Sequence, residues 1–157
     1  MINLSVDTRN LSSSMTAKHL KTVFDEVFFL VESSFEVSIE DIDGDNSYWI
    51  PTPDDEVEEL EIFGIIEIGD DTTPFQKIVH LAHETGHAIL HSDPYFREST
   101  CVLFNESMAW YLGYHFLSEH GYVLDMKEYT EELEYALDLY RWSENARSLS
   151  IPNEEQT

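Results

Sequence analysis

Residues 73–91 read TPFQKIVHLAHETGHAILH, and this stretch constrains the fold more than any other part of the chain. Its first four residues, 73–76, form a capping-box pattern with Pro74 at the first helical position. The pattern predicts a helix that begins at Pro74 and continues through the histidines. Because residues four apart lie on one face of a helix, His83 and His87 are predicted to point in the same direction, one turn apart.

The sequence HETGH at residues 83–87 fits the pattern H-E-x-x-H. Two imidazoles at this spacing can reach one tetrahedral zinc. Glu84 is displaced around the helix, where it can meet a zinc-bound water without becoming a ligand. The pattern also occurs by chance, and histidines on a half-buried helix can be ordinary core residues. Its place in a capped helix that follows a predicted strand favours the metal interpretation.

A catalytic zinc needs a third protein ligand and an open position for water. His91 is four residues past His87, but on a straight helix it lies about 12 Å from His83 along the axis. Ligands bound at about 2 Å from one zinc cannot be so far apart. His91 would therefore serve only if the helix broke after Leu90. His80 lies nearly one turn before His83 and suits a supporting or core role.

Glu106 is the better candidate for the third ligand. It lies in line with the apolar stripe of a predicted helix over residues 100–119. A bare carboxylate there would be costly, and a metal would remove the cost. Ala109 and Gly113 follow on the same face and are small, which predicts close packing against the histidine-bearing helix near Gly86. The alternative is that Glu106 lies at the border of the stripe, in solvent.

HETGHAILH at residues 83–91 and ESMA at residues 106–109 resemble two motifs of the ImmA/IrrE family of small zinc metallopeptidases. These motifs are the H-E-x-G-H-x-x-x-H signature and a downstream E-x-x-A. The resemblance extends over roughly residues 15–120, because the order of predicted elements also matches. It implies three zinc ligands and a general base: His83, His87 and Glu106 for the metal, and Glu84 for the base. The trailing histidine of the signature, which is His91 here, is not a primary ligand.

The residues after the glutamate motif depart from that family, in which Asn and an aromatic residue often follow. Trp110, Tyr111 and Leu112 stand there in this chain. In an active enzyme, zinc would polarise a bound water and Glu84 would take its proton. The oxyanion that forms then needs a second electrophile. Three side chains are candidates for that role: Tyr111, Tyr114 and His115.

The order of predicted elements indicates an α+β fold. We expect an N-terminal helix, a small three-stranded and mainly antiparallel sheet, a zincin-like metal helix, a Glu-ligand helix and a C-terminal helix. The first and last helices are predicted at residues 16–33, capped by Thr16, and 126–148, capped by Asp125. The strands are predicted at residues 35–40, 47–50 and 60–68, the first two forming a hairpin around the turn at 41–47.

Residues 15–149 are expected to form this single zincin-like domain. A flexible arm or an edge strand at residues 1–14 precedes it, and a disordered tail at 150–157 follows. An extended substrate is expected to add as a further strand along residues 60–68 or the neighbouring strand.

The charge balance restricts the partners of the chain. Its 157 residues include 32 Asp and Glu against 8 Lys and Arg, a formal net charge of −24. Phosphates would be repelled, so direct binding to nucleic acid is disfavoured, and a basic partner is favoured. One cysteine, Cys101, excludes an intrachain disulfide and is expected to be a packed thiol. No signal-peptide pattern and no membrane-spanning stretch occur, so we expect a cytoplasmic protein that does not bind membranes.

Two functions fit these features. The first is a zinc metallopeptidase that cleaves a protein substrate, such as a basic regulator or a nucleic-acid-binding protein. The second is an acidic binding or inhibitor protein of a phage or mobile element, which imitates nucleic acid and has a structural or vestigial zinc site. Acidic clusters at residues 54–61 and 128–134 favour the second function. The intact H-E-x-x-H pattern favours the first.

Overall fold

The computed structural model describes residues 7–57, 63–93 and 102–150, and within residues 140–150 it describes the backbone alone. These ranges contain four helices and five strands, which confirms the α+β class. In chain order they are β1 (Arg9–Leu11), α1 (Ala17–Phe35), β2 (Val37–Ile42), β3 (Tyr48–Pro51), β4 (Gly64–Gly69), α2 (Pro74–His91), α3 (Val102–Glu119), β5 (Tyr122–Leu124) and α4 (Met126–Ser150). None of these helices has the length and apolar character needed to cross a membrane.

Helix α1 begins where its sequence predicts. The side chain of Thr16 accepts a hydrogen bond from the His19 amide at 3.2 Å, which confirms the N-cap. One face of the helix is buried, at Leu20, Val23, Val27 and Val31. After Phe35, Glu36 takes a left-handed conformation, with φ of 51°, and turns the chain into β2.

The three-stranded sheet has the order β2-β4-β3. Strand β2 pairs with β4 in parallel and β3 pairs with β4 antiparallel, so the sheet is mixed rather than mainly antiparallel. The predicted hairpin of the first two strands is wrong. The reason is burial: β4 has the fully buried Ile66 and Ile68 and takes the centre. Strand β3 is mostly exposed and ends at Pro51, which lacks an N–H and suits an edge.

A second, two-stranded sheet, whose pairing the sequence did not predict, joins the first described strand to the segment between α3 and α4. Strand β1 pairs in parallel with β5, with Leu11 opposite Leu124. Residues 1–14 therefore include a strand, at residues 9–11. Asp125 follows β5, and its carboxylate accepts a hydrogen bond from the Glu128 amide at 3.0 Å, which confirms the cap of α4.

Helix α2 begins at Pro74 behind the predicted capping box. The Thr73 hydroxyl accepts from the Gln76 amide, and the Gln76 side chain accepts from the Thr73 amide. The helix packs against α1 on one side and α3 on the other. Parts of six features predicted from the sequence lie outside the described residues. They are residues 1–6 of the arm, residues 58–61 of the acidic cluster at 54–61, the first residues of the strand at 60–68, residues 100–101 of the helix at 100–119, the environment of Cys101, and the tail after Ser150.

Candidate metal centre

The backbones of α2 and α3 touch at two glycines. A Cβ added at Gly86 would lie 1.7 Å from the carbonyl oxygen of Ala109. A Cβ added at Gly113 would lie 1.9 Å from the carbonyl oxygen of Ala82. The predicted close packing of small residues at this crossing is therefore confirmed. It fixes the distance between the helix with the histidines and the helix with Glu106.

Across this contact, three side chains meet at their polar atoms. His83 Nε2 lies 2.8 Å from one carboxylate oxygen of Glu106, and His87 Nε2 lies 3.0 Å from the other. The two histidine Nε2 atoms are 3.1 Å apart. We call His83, His87 and Glu106 the metal cluster. It is the one group of three or more metal-binding side chains found among residues 7–57, 63–93 and 102–150.

The metal cluster fits a zinc ion. Two imidazole nitrogens and one carboxylate are the donor set of a common class of catalytic zinc sites. Zinc with tetrahedral bonds of about 2.0–2.2 Å places its ligand atoms roughly 3.3–3.6 Å apart. The observed separations of 2.8–3.1 Å are a few tenths of an ångström shorter. Small side-chain rotations would therefore admit the ion without movement of the backbone.

Among the described residues, buried carboxylates are found only at this site. Of the Asp and Glu side chains that the structure describes, Glu84 and Glu106 alone are buried, at 4% and 7% exposure. Burial by itself raises the pKa of Glu106, but hydrogen bonds and charge interactions with His83 and His87 outweigh it and hold the pKa well below its usual range. Glu106 is therefore an anion at neutral pH, as a metal ligand must be.

The pKa values of Glu84 and His87 shift upward, opposite to that of Glu106. Burial raises the pKa of Glu84, against the nearby histidines that lower it. Burial alone would lower the pKa of His87, yet the hydrogen bond to Glu106 and the charges of Glu84 and Glu106 raise it overall. Both groups therefore hold a proton more readily than they would in water.

The remaining histidines of the motif lie outside the metal cluster. His91 ends α2 and packs its ring against Trp49 and Phe63, at centroid distances of 6.0 and 5.3 Å. Helix α2 continues to His91 without a break after Leu90. His80 is partly buried, and its Nδ1 lies 3.4 Å from the hydroxyl of Ser47.

The three predicted oxyanion candidates on α3 do not contact the metal cluster. Tyr111 is 56% exposed and packs its ring against His115 on the outer face of the helix. His115 also lies 3.8 Å from the carboxylate of Glu119. Tyr114 points to the other side and packs against Tyr129 of α4. Their role in stabilising an oxyanion stays a prediction.

A cavity of about 490 Å³ opens beside His83 and Glu84. Helix α2 forms its floor, and helix α4 forms one wall. We call it the acidic cavity, because among the described side chains its lining includes Asp45, Asp71 and Glu132 but no lysine or arginine. His80 also lines it, and burial lowers the pKa of His80 despite the opposing charges of Glu132 and Asp45.

Sequence reasoning missed the residues that surround the metal cluster. Trp110 stacks on the ring of His83, and its position one turn after Glu106 was a usable signal. Ser47 and Glu132 reach the acidic cavity from distant parts of the chain. No local pattern in the sequence indicates that they approach His80.

The family model Peptidase_M78, described as the IrrE N-terminal-like domain, matches residues 32–126. The chain is a member of this family. The Peptidase_M78 segment contains the three-stranded sheet, α2, α3 and the whole metal cluster, and it ends at the first residue of α4. Neither a curated protein nor a solved structure matches the chain.

Proposed function

We propose that this chain is a zinc-dependent metallopeptidase that cleaves a basic protein substrate. The observation behind the proposal is the metal cluster, which lies beside the buried carboxylate of Glu84 and at the edge of an open cavity. Membership of the Peptidase_M78 family supports peptide hydrolysis as the reaction. A peptide bond entering the cavity would meet His83 of the metal cluster and the potential base Glu84 together.

The two sides of the site would have different tasks. His83, His87 and Glu106 would hold the ion, which when bound lowers the pKa of a water toward neutrality. Glu84 would accept the proton of that attacking water and pass it to the leaving amine. Its buried position suits both steps, because a raised pKa makes the carboxylate a better base and its protonated form a usable acid.

Two features support a basic, extended substrate. Strand β3 lies at the edge of the described three-stranded sheet, and its Tyr48 and Ile50 are exposed. Strand β4 is central and has no free edge, whereas its neighbours β2 and β3 lie at the two edges of this sheet. Of these two, β3 directly follows Ser47, which lines the acidic cavity. The acidic cavity next to it would attract lysine or arginine side chains.

The substitution Glu84→Gln tests the enzymatic proposal, with Glu40→Gln on the exposed side of β2 as the matched control. Cleavage of fluorogenic peptides rich in lysine and arginine should fall by about 10²–10⁴-fold in Glu84→Gln. Zinc content should be unchanged in both variants, because Glu84 is not a ligand. Equal cleavage by wild type and Glu84→Gln, or no zinc in the wild type, would contradict the proposal.

The net charge of −24 keeps the acidic binding protein as a second candidate. In that case the chain would hold a basic partner with a strength that falls steeply with salt. Glu84→Gln would then leave both binding and biological effect intact. Loss of the effect in Glu84→Gln, with partner binding retained, would favour the peptidase over the inhibitor.

A further inference from the structure

We propose that Trp110 is a positioning residue for the metal ligand His83. The inference rests on the metal site of the proposed function and adds a residue to it. The two rings are stacked, with centroids 4.2 Å apart and planes inclined by 15°. This is the most nearly parallel of the described ring contacts in the protein, and it lies directly on a ligand of the metal cluster.

Helix α3 supplies both the stack and the third ligand. Trp110 follows Glu106 by four residues, so the two side chains lie one turn apart on the same face. The backbone contact between Gly86 and Ala109 holds this face close to α2. As a result, one helix presents a carboxylate to Nε2 of His83 and a flat ring to the face of the same imidazole.

Among the described residues, the other nitrogen of His83 has no orienting contact within the usual hydrogen-bond range. A metal-binding histidine commonly donates its second ring N–H to a carboxylate or carbonyl, which fixes the ring. Here the Nδ1 atom of His83 lies 3.5 Å from the carboxylate of Glu84, beyond the usual hydrogen-bond range. Glu84 is also the group we expect to exchange protons during the reaction. The stack with Trp110 would fix the imidazole plane without engaging that carboxylate.

Trp110 is itself held firmly. It is 3% exposed, and its indole N–H has no hydrogen-bond partner among the described residues, so packing alone places the ring. Tyr129 of α4 packs its edge against the indole at 5.1 Å and donates its hydroxyl proton to the backbone carbonyl of Trp110. Tyr129 lies beyond residue 126, where the family match ends. Helix α4 thus connects to the metal cluster through Trp110.

The test compares zinc dissociation constants of the full chain with Trp110→Leu, Trp110→Phe and Trp49→Leu. The last is a matched control, because Trp49 packs near His91, which is not in the metal cluster. Trp110→Leu should weaken zinc binding about 10–100-fold, as loss of a ligand's orienting contact does. Trp110→Phe keeps a flat ring and should lose less than about tenfold. Trp49→Leu should lower stability but leave zinc affinity unchanged.

A spectroscopic measurement separates positioning from general packing. In a Trp49→Phe, Trp142→Phe background, Trp110 is the single tryptophan, and zinc binding to the stacked imidazole should change its emission with the same midpoint as zinc uptake. Unaltered emission together with wild-type zinc affinity in Trp110→Leu would overturn this inference while leaving the metal site in place. If the wild type takes up no zinc, both the inference and the proposed function fail.

Discussion

The two walls of the acidic cavity are built in opposite ways. On the side of α2 and α3 the backbones touch, the carboxylates are buried, and all three potential ligands lie within the family-matched segment. On the side of α4, Tyr135 and Leu139 are 66% and 53% exposed, and the lining residues come after residue 126. The first wall holds the potential ligands and Glu84 in fixed positions. The second wall is formed by α4, which lies almost entirely beyond the family-matched segment. We expect this wall to select the substrate.

The largest expected effect is that of pH on zinc affinity, which depends on the α2 and α3 wall and not on the α4 wall. His87 must lose its proton to bind metal, and its pKa is raised in the metal-free fold. Zinc affinity should therefore rise about tenfold per pH unit while the pH lies below that raised pKa. Competition titrations with a chelator at several pH values measure this slope. An affinity that does not vary with pH would mean that the metal binds elsewhere, for example at Asp45, Asp71 or Glu132 of the acidic cavity.

The same shifts predict the stability of the metal-free protein. The raised pKa of His87 contributes stability below its ordinary value of 6.5, and this is lost as the pH rises through the raised pKa. Glu106, with a lowered pKa, contributes stability above its ordinary 4.5 that is lost as the pH falls toward the lowered value. The increase in Tm caused by zinc should therefore be greater at pH 8 than at pH 6. Calorimetry of both forms checks the sign.

A substitution at the helix contact comes next in size. Gly86→Ala places a methyl group where the Ala109 carbonyl oxygen lies, and the neighbour is backbone that cannot rotate away. Helix propensity alone would favour alanine by about 1 kcal/mol. Overpacking should reverse that sign and destabilise the protein by about 1–3 kcal/mol or more. Tyr135→Ala on the opposite wall should change stability by less than about 0.5 kcal/mol. Urea unfolding distinguishes the two; a stabilised Gly86→Ala would contradict the packing.

The smallest expected effect is that of a substitution at Glu132, on the α4 wall of the acidic cavity. Glu132→Gln keeps the shape of a side chain that accepts a hydrogen bond from Gln76 at 3.2 Å. It removes one partly exposed charge, which is worth about 0.2–1 kcal/mol. The KM for a lysine-containing peptide should therefore rise by roughly 1.5–5-fold at low salt and hardly at all at high salt. Zinc affinity should stay the same. An unchanged KM at low salt would argue against a role of this wall in binding basic substrates.

Local patterns predicted the helices and the two histidines of the candidate metal site, whereas Glu106, on the next helix, was predicted from its apolar surroundings and from the family motif. Capping boxes act within four residues, and the spacing of His83 and His87 acts within one turn. The small residues Ala109 and Gly113 also indicated the helix crossing, because only small side chains let two backbones approach. The caps and the histidine spacing depend on neighbours along one helix, which the sequence contains directly.

The strand order and the cavity were not predictable in the same way. Strands β2 and β3 are adjacent in sequence, which suggested a hairpin, but the apolar β4 is inserted between them. Strand β1 pairs with β5 more than 100 residues later. The approach of Glu132 and Ser47 to His80 likewise depends on where whole elements pack. Such contacts depend on which surfaces of distant elements are buried together, and a single sequence does not show which surfaces those are.

Metal analysis of four purified proteins tests the central claim most directly: the wild type, His83→Ala, Glu106→Ala and His91→Ala. We expect about one zinc per chain in the wild type and in His91→Ala, since His91 packs on aromatic rings away from the metal cluster. We expect His83→Ala and Glu106→Ala to lose the metal after dialysis against a weak chelator. Equal zinc in all four proteins, or none in the wild type, would contradict a metal centre at His83, His87 and Glu106.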